Sequence, residues 1–270
     1  MIGDPVEHSL SPLFQQPALD ALDLGITYEL WHTPVEELSQ RFDLLRKGEA
    51  LGANVTVPHK EAAFAAMDEL SPLARRAGAV NTIIPRDGQL YGDNTDIHGF
   101  LVPLRERGID FGNLRIIILG AGGAARGVVV ALLEAGARQI TMANRTVTRA
   151  EELVRQVDDQ RLRPISLDDV VERAEETDLL VNSTSIGWNG TNLPVDAGVF
   201  RLLPEGAIVY DLTYRETPFL AAGRSAGIEV IDGLPMLVHQ GARSFELWTG
   251  RPAPIDLMWR SAVAARDARG

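Results

Sequence analysis

The chain contains no cysteine, so disulfides, thiolate metal sites and a cysteine nucleophile are all excluded. It has no apolar run approaching the roughly 18 residues that cross a bilayer. Its opening, MIGDPVEHSLSP, has neither the basic region nor the apolar stretch of a secretory leader. The histidines, His8, His32, His59, His98 and His239, show no metal-ligand spacing, and no Ser-His-Asp order is supported, so no metal site is expected. Positive charge is scarce: 26 Lys and Arg stand against 37 Asp and Glu, for a net charge of −11. Phosphates would meet net repulsion, which argues against a nucleic-acid surface. Lysine is scarcest of all. Only Lys47 and Lys60 are lysines, and every other basic residue is arginine. Arginine holds surface charge as well as lysine does but cannot release a proton near neutral pH. By count alone the two survivors read as chance.

What remains is ample for a core. The 270 residues are 45% hydrophobic, with 15 prolines spread along the chain, enough for one large α/β domain or two smaller ones. Residues 26–32 (ITYELWH) read as a strand, and Val35, Leu38, Phe42 and Leu45 recur at helical spacing. ANVTV at 53–57 is a strand stopped by Pro58, with a short helix from about Lys60 to Met67. Strands at 80–84 and 89–91 flank Asp87-Gly88 as a hairpin, and 97–107 reads as a helix. From residue 113 a second pattern alternates strands (115–119, 139–143, 178–181, 207–211, 227–231) with helices (125–134, 149–157), which predicts a doubly wound parallel sheet. The tail, 236–248 and 255–266, is helical with no sheet of its own and must pack on one of the two units. Only Met1 and Ile2 precede the Gly3-Asp4-Pro5 turn. Either the first strand is very short or the natural start lies upstream, in which case stability near Ser9 and Ser11 should suffer.

Gly120-Ala121-Gly122-Gly123-Ala124-Ala125 fits the dinucleotide fingerprint between a predicted strand and a predicted helix. The first glycine allows the tight turn and the second lets a phosphate approach the backbone. The small Ala125 lets helix and strand pack closely. An NAD site places a carboxylate at the tip of the next strand. Here that tip carries Asn144-Arg145-Thr146, with Arg149 one turn later, a set that suits the 2′-phosphate of NADP. The plainer alternative makes Thr146 or Thr148 a helix N-cap with the arginines on a solvated face, which leaves the missing acid unexplained.

In ANVTVPHK, alternation turns Asn54 and Thr56 to one side of a strand, with Lys60 beyond its carboxyl end, where ligand sites in such sheets open. His59 beside it reads as a surface or helix-start residue. Asn81-Thr82, Asp93-Asn94-Thr95-Asp96 and Ser9-Leu10-Ser11-Pro12 supply further polar groups at turn-like positions. Individually Ser9, Ser11, Asn81 and Asp96 read as caps or turn residues. Jointly they suit a small polyhydroxy acid.

At this point the sequence resembles the shikimate dehydrogenase family along nearly its whole length: SLSP, GANVTVPHK, GAVNT, GDNTD, GAGGAARG, NRT, NSTSIG, YDLTY and DGLPMLVHQG follow in the family's order. The resemblance implies a two-domain α/β protein. An N-terminal substrate domain is completed by the C-terminal helices (1–98 plus 235–270), and a Rossmann-type NADP-binding domain lies between (99–234). It implies NADPH-dependent reduction of 3-dehydroshikimate to shikimate in a cytoplasmic enzyme, monomeric or homodimeric, acting on a small molecule and not on nucleic acid or membrane. Carried over residue by residue, it makes Lys60 the general acid/base and Asp96 its partner. Ser9, Ser11, Thr56, Lys60, Asn81, Asp96, Tyr214 and Gln240 would hold the substrate. Gly120, Ala121, Gly122, Gly123, Ala124, Asn144, Arg145, Thr146 and Arg149 would hold the cofactor, with Leu212 and Gly233 near its nicotinamide end.

Two readings of Lys60 stand side by side, proton transfer or purely electrostatic binding. Two alternatives to the whole also stand: an NAD-using quinate/shikimate dehydrogenase, opposed by the NRT tip and by Ser11 where quinate-preferring relatives often have Thr, and a non-catalytic cofactor sensor on the same fold, opposed by retention of Lys60, Asp96, Ser9 and Ser11. Trp188, after NSTSIG, and Pro235 depart from the family's usual small residues.

Overall fold

A computed structural model describes residues 1–188 and 190–269. It contains two compact units, Met1–Val102 with the chain from Met236 onward, and Pro103–Pro235.

In the first unit the order is β1 (Ile2–Gly3), α1 (Ser11–Ala21), β2 (Trp31–His32), α2 (Leu38–Arg46), β3 (Ala53–Asn54), α3 (Lys60–Ala66), β4 (Glu69–Leu70), α4 (Pro72–Ala77), β5 (Thr82–Arg86), β6 (Gln89–Asp93) and α5 (Asp96–Glu106). β1 pairs in parallel with β2, and Ile2 also bridges Val55 just past β3. The remaining strands run β3-β5-β6-β4, with β3-β5 and β5-β6 antiparallel and β4-β6 parallel. The β5-β6 hairpin turns at Asp87 and Gly88, both with positive φ, the conformation that a two-residue turn between twisted strands requires. The expected strand over 26–32 shrinks to Trp31–His32. The first strand spans Ile2–Gly3.

Helix α2 buries Leu38, Phe42 and Leu45 against Ile2, Val55, Ile83 and Leu90. Val35 does not join them. Residues 35–37 form a tight 3-10 turn instead of α-helix, and Val35 stands 69% exposed. His59 is the helix-start residue that one of its two readings expected, at the N-cap of α3, but it is not at the surface. It is buried at 1% exposure, with its Nε2 2.6 Å from the Thr33 carbonyl, so the ring donates there and pins the turn before Lys60.

The second unit runs β7 (Arg115–Leu119), α6 (Gly123–Glu134), β8 (Gln139–Asn144), α7 (Val147–Val157), β9 (Leu162–Ser166), α8 (Val170–Arg173), β10 (Leu179–Asn182), α9 (Val199–Leu202), β11 (Ile208–Asp211), α10 (Pro218–Ser225) and β12 (Glu229–Ile231). Its six strands are all parallel in the order β12-β11-β10-β7-β8-β9, so the winding reverses between β7 and β10, the switch point of a doubly wound sheet. Ile117, Leu180, Val209, Phe200 and Phe219 anchor its core. Register sets Ala143, Leu119, Asn182 and Asp211 side by side across four strands, so the loops that follow them leave from one edge. Strand β9 escaped the sequence reading because Pro164 and Arg163 interrupt its apolar pattern. As an edge strand it tolerates proline.

The tail forms α11 (Leu234–Thr249) and α12 (Ile255–Asp267). Within the first unit α12 packs on α1, and two glycines admit close neighbours of α11. A Cβ at Gly241 would lie 2.5 Å from the Phe14 ring, and one at Gly99 would lie 2.5 Å from the Met236 carbonyl and 2.8 Å from the Gln240 amide nitrogen. Backbone cannot yield as a flexible side chain can. Gly99→Ala is expected to destabilise the protein by about 1–3 kcal/mol in urea unfolding, as overpacking does. Unchanged stability would show that α5 and α11 do not meet this closely.

Candidate functional site

In the first unit the polar groups converge on Lys60, the first residue of α3, and Asp96, the first of α5. Lys60 Nζ donates to Asp96 Oδ2 at 2.6 Å, and both side chains are mostly buried, at 20% and 16% exposure. The other carboxylate oxygen, Oδ1, accepts from Asn81 Nδ2 at 2.9 Å. The orientation of that amide is not arbitrary. Asn81 Oδ1 accepts from the Thr95 backbone N–H at 2.7 Å, and a backbone N–H can only donate, so the NH2 group must face Asp96. Gln240 Oε1 also lies 3.3 Å from Asn81 Nδ2, while its own amide NH2 donates to the Leu237 carbonyl. Lys60, Asp96, Asn81 and Gln240 are thus one bonded cluster.

Beneath it lies a layer in which Asn54, Thr82 and Thr95, expected as polar groups of the site, meet Ser244 and Tyr28, which the sequence reading missed. The hydroxyls of Thr82, Thr95 and Ser244 form a mutual triangle at 2.8–3.1 Å, and all three residues are at most 1% exposed. Asn54 Nδ2 donates to Ser244 Oγ at 2.9 Å, and Tyr28 Oη donates to Asn54 Oδ1 at 2.7 Å. Burial pushes the Tyr28 phenol well above its ordinary range, so it stays a donor. Ser244 lies one helical turn after Gln240, the one signal its sequence position carries. Tyr28 gave none.

Ser9, Ser11 and Thr56 are placed differently. Ser11 hydrogen-bonds the Tyr28 phenol and so joins the layer beneath the cluster, whereas Ser9 and Thr56, among the described residues, have no side-chain hydrogen bond to Lys60, Asp96, Asn81 or Gln240. Ser9 Oγ accepts from Ser11 N at 3.1 Å, and Leu10 occupies the N-cap position of α1 with no side-chain cap. Thr56 N donates to the Ile2 carbonyl, and a Cβ on Gly3 would strike the Thr56 methyl at 2.4 Å. Lys47 is exposed.

In the second unit the glycine loop leaves β7 as expected. Gly120 has φ +106°, and a Cβ there would meet Ser183 Oγ at 2.8 Å. A Cβ at Gly122 or Gly123 would meet nothing within 4 Å, so no packing of this chain demands glycine there. The space is open at the start of a 12-residue helix whose first-turn N–H groups lack intrahelical acceptors. An anionic pyrophosphate fits that donor set. Ala121 and Ala124 keep the loop small, and Ala125 is fully buried against the sheet.

At the tip of β8, Asn144 Nδ2 donates to the Thr146 carbonyl at 2.8 Å, and Thr146 takes the N-cap position of α7, as the plainer reading has it, but makes no side-chain capping bond. Arg145 and Arg149 are exposed and, among the described residues, have no carboxylate partner. Arg145 borders a cavity of about 340 Å³ with Ser166, Leu167, Leu193 and Pro194. The guanidinium groups, Asn144 and Thr146 fit a 2′-phosphate.

Leu212 and Gly233 touch. A Cβ on Gly233 would lie 2.1 Å from the Leu212 carbonyl, and Gly233 N donates to the Thr213 carbonyl at 2.9 Å. The Tyr214 ring meets Trp188 edge to face at 5.5 Å, with Arg215 5.3 Å over the Trp188 ring. Among the described residues no group of acidic or histidine side chains could hold a metal, and no helix is long and apolar enough to cross a membrane.

The hydroxyl triangle carries its own consequence. Ser244→Ala removes one acceptor from Asn54 and one partner from each threonine, and is expected to cost about 1–3 kcal/mol of stability. A loss below about 0.5 kcal/mol by denaturant titration, the level of a surface change, would show the triangle to be dispensable.

Comparison with known proteins agrees in all segments. The family described as shikimate dehydrogenase substrate binding domain matches residues 1–83, that described as shikimate / quinate 5-dehydrogenase matches 104–187, and that described as shikimate 5'-dehydrogenase C-terminal domain matches 233–262. A relative from Thermus thermophilus, named shikimate dehydrogenase (NADP(+)), is 44% identical over 274 residues, covering 100% of this chain and 98% of its own. The crystal structure of shikimate 5-dehydrogenase from another strain of Thermus thermophilus, in complex with NADP(H) and shikimate, is similar at TM-score 0.87 and 42% identity, covering 98% of this chain and 97% of that one. The ligand-free 5-ketofructose reductase of Gluconobacter sp. strain CHM43 is also similar, at TM-score 0.84 and 31% identity, covering 97% and 96%. Backbone alone therefore does not choose the substrate.

Proposed function

The chain belongs to the shikimate dehydrogenase family, and on that premise we propose that it interconverts 3-dehydroshikimate and shikimate with NADP(H). The observation that carries this reading is the Lys60–Asp96 pair with the Asn81 amide turned toward it. The middle family description admits quinate as well, but its curated relatives are named for NADP and shikimate.

When bound, NADPH supplies the hydride that a ketone carbon accepts. The chain's own task is the oxygen, where negative charge develops. One hydrogen of the Lys60 ammonium is held by Asp96, which leaves two for a substrate oxygen. Lys60 donates a proton to that oxygen in reduction and accepts it back in oxidation, and Asp96 orients Nζ and steadies its charge. With Asn81 on Oδ1 and Lys60 on Oδ2, Asp96 accepts a hydrogen bond at each oxygen. Arginine at position 60 would carry the charge but not the proton, which accounts for one lysine persisting in so arginine-rich a chain.

Ser9, Ser11, Thr56, Asn81, Gln240 and Tyr214 are the proposed ligands of the substrate carboxylate and hydroxyls. Gly120 to Ala124 receive the pyrophosphate, and Asn144, Arg145, Thr146 and Arg149 the 2′-phosphate. Leu212 and Gly233 are assigned to the nicotinamide end. We place the enzyme in the cytoplasm, as a monomer or homodimer. The net charge of −11 leaves the local positive groups Lys60, Arg145 and Arg149 to attract two anionic ligands.

The test follows absorbance at the NADPH band with shikimate or quinate and NADP+ or NAD+. Shikimate with NADP+ is expected to be the preferred pair, and no turnover with any combination would favour the sensor reading. Lys60→Ala is expected to lower kcat by about 10²–10⁴ with a smaller change in KM, and Lys60→Arg to recover little of it. Near-wild-type kcat in Lys60→Arg would leave Lys60 only an electrostatic role. Arg145→Ala is expected to lower kcat/KM for NADP+ by about tenfold or more while sparing NAD+. An unchanged ratio would remove the 2′-phosphate from Arg145.

A further inference from the structure

The second unit buries a carboxylate that the proposed reaction does not use. Asp211 ends β11, is 0% exposed, and has no cationic partner among the described residues. Burial raises its pKa above the ordinary carboxylate value, opposed by hydrogen bonds from Thr213, Thr217 and Asn182. All three partners are donors. Thr213 N reaches Oδ1 at 2.9 Å, Asn182 Nδ2 and Thr217 Oγ1 reach Oδ2 at 3.1 and 2.8 Å, and the Thr213 hydroxyl also hydrogen-bonds the carboxylate.

Each bond continues into a different turn. Asn182, beside Asp211 in the sheet register, has its amide fixed, because Oδ1 accepts from Thr184 N at 3.1 Å and Thr184 Oγ1 at 2.7 Å. Thr184 Oγ1 in turn accepts from Ile186 N at 3.2 Å, so the turn over 183–187, whose Ser183 and Thr184 flank Gly120, hangs from this amide. Thr213, held by its N–H, offers its carbonyl to Gly233 N, and that contact presses Gly233 against the Leu212 carbonyl. Thr217, besides donating to Asp211, accepts from Leu220 N and caps α10. One desolvated anion therefore ties three turns at the carboxyl edge of the sheet. An uncharged group of the same size offers fewer acceptor sites to meet the donors that three residues converge on it.

We propose that Asp211 is a positioning residue for the nicotinamide half of the cofactor, fixing the turns at 183–187 and 212–214 while leaving the pyrophosphate and 2′-phosphate contacts to other residues. This rests on the reading of the second unit as the NADP site.

The experiment is titration calorimetry of the full chain with two ligands, NADPH and the fragment 2′-phospho-ADP-ribose, which lacks the nicotinamide. Asp211→Asn sets an NH2 against the donors of Asn182 and Thr217, or against the Thr213 N–H. It is expected to weaken NADPH by about tenfold or more while 2′-phospho-ADP-ribose stays within about twofold of wild type. KM for NADPH should rise more than kcat falls. The swapped pair Asn182→Asp with Asp211→Asn restores a donor facing an acceptor and is expected to recover most of the lost NADPH affinity. Wild-type NADPH affinity in Asp211→Asn, equal weakening of both ligands, or no recovery in the swapped pair would overturn the proposal. A wild-type protein that binds neither ligand would overturn the cofactor reading itself and this proposal with it.

Discussion

A backbone N–H has one chemical option, and the Thr95 N–H uses it on Asn81 Oδ1. From that bond the order of the first unit's polar cluster follows. The asparagine amide can turn only one way, its NH2 meets Asp96, and Asp96 keeps its second oxygen for Lys60. The buried hydroxyls of Thr82 and Thr95 bond the same amide oxygen, and Ser244 holds those two hydroxyls from behind. A lysine ammonium held at 2.6 Å by an oriented carboxylate, yet one-fifth exposed, can meet a substrate oxygen without first rearranging. Preorganisation of this kind is what electrostatic and acid-base catalysis require.

The second unit uses a related device. Parallel register brings four strand ends into a row, and the side chains at two of them, Asn182 and Asp211, bond to each other across the strands. The turns beyond are then set by hydrogen bonds that radiate from a buried carboxylate, while the glycine loop beyond Leu119 is shaped by what is absent from Gly120, Gly122 and Gly123. The two units thus share a method: a fixed polar group inside, open donors outside.

Much of this was legible in the sequence because periodicity and glycine placement speak directly about backbone. The strand at 115–119, the fingerprint at 120–125 and the helical tail all stand where their patterns put them. Strand β9 and Tyr28 were not legible, for opposite reasons. Proline and arginine hide an edge strand whose pairing is decided by its neighbour, and Tyr28 reaches Asn54 only through the fold. Val35 left the core its spacing gave it, and His59, at the helix start that its pattern allowed, is buried there: a 3-10 turn holds the valine out, and a carbonyl on another segment bonds the imidazole. Local pattern cannot see either event. Motif resemblance gathered Lys60, Asn81, Asp96 and Gln240, which the fold bonds together, and Ser11, which reaches them only through Tyr28 and the buried layer. Ser9 and Thr56, which it grouped with them, have no side-chain hydrogen bond to the four among the described residues.

The claim that Lys60 moves a proton is tested most directly by the pH dependence of kcat for shikimate oxidation with NADP+ in the wild type and in Lys60→Met. Oxidation needs Lys60 neutral so that it can accept the hydroxyl proton, so the wild-type rate should climb with pH along a single ionisation. In Lys60→Met that limb should vanish together with most of the rate. The same rising limb persisting in the residual activity of Lys60→Met would contradict the account.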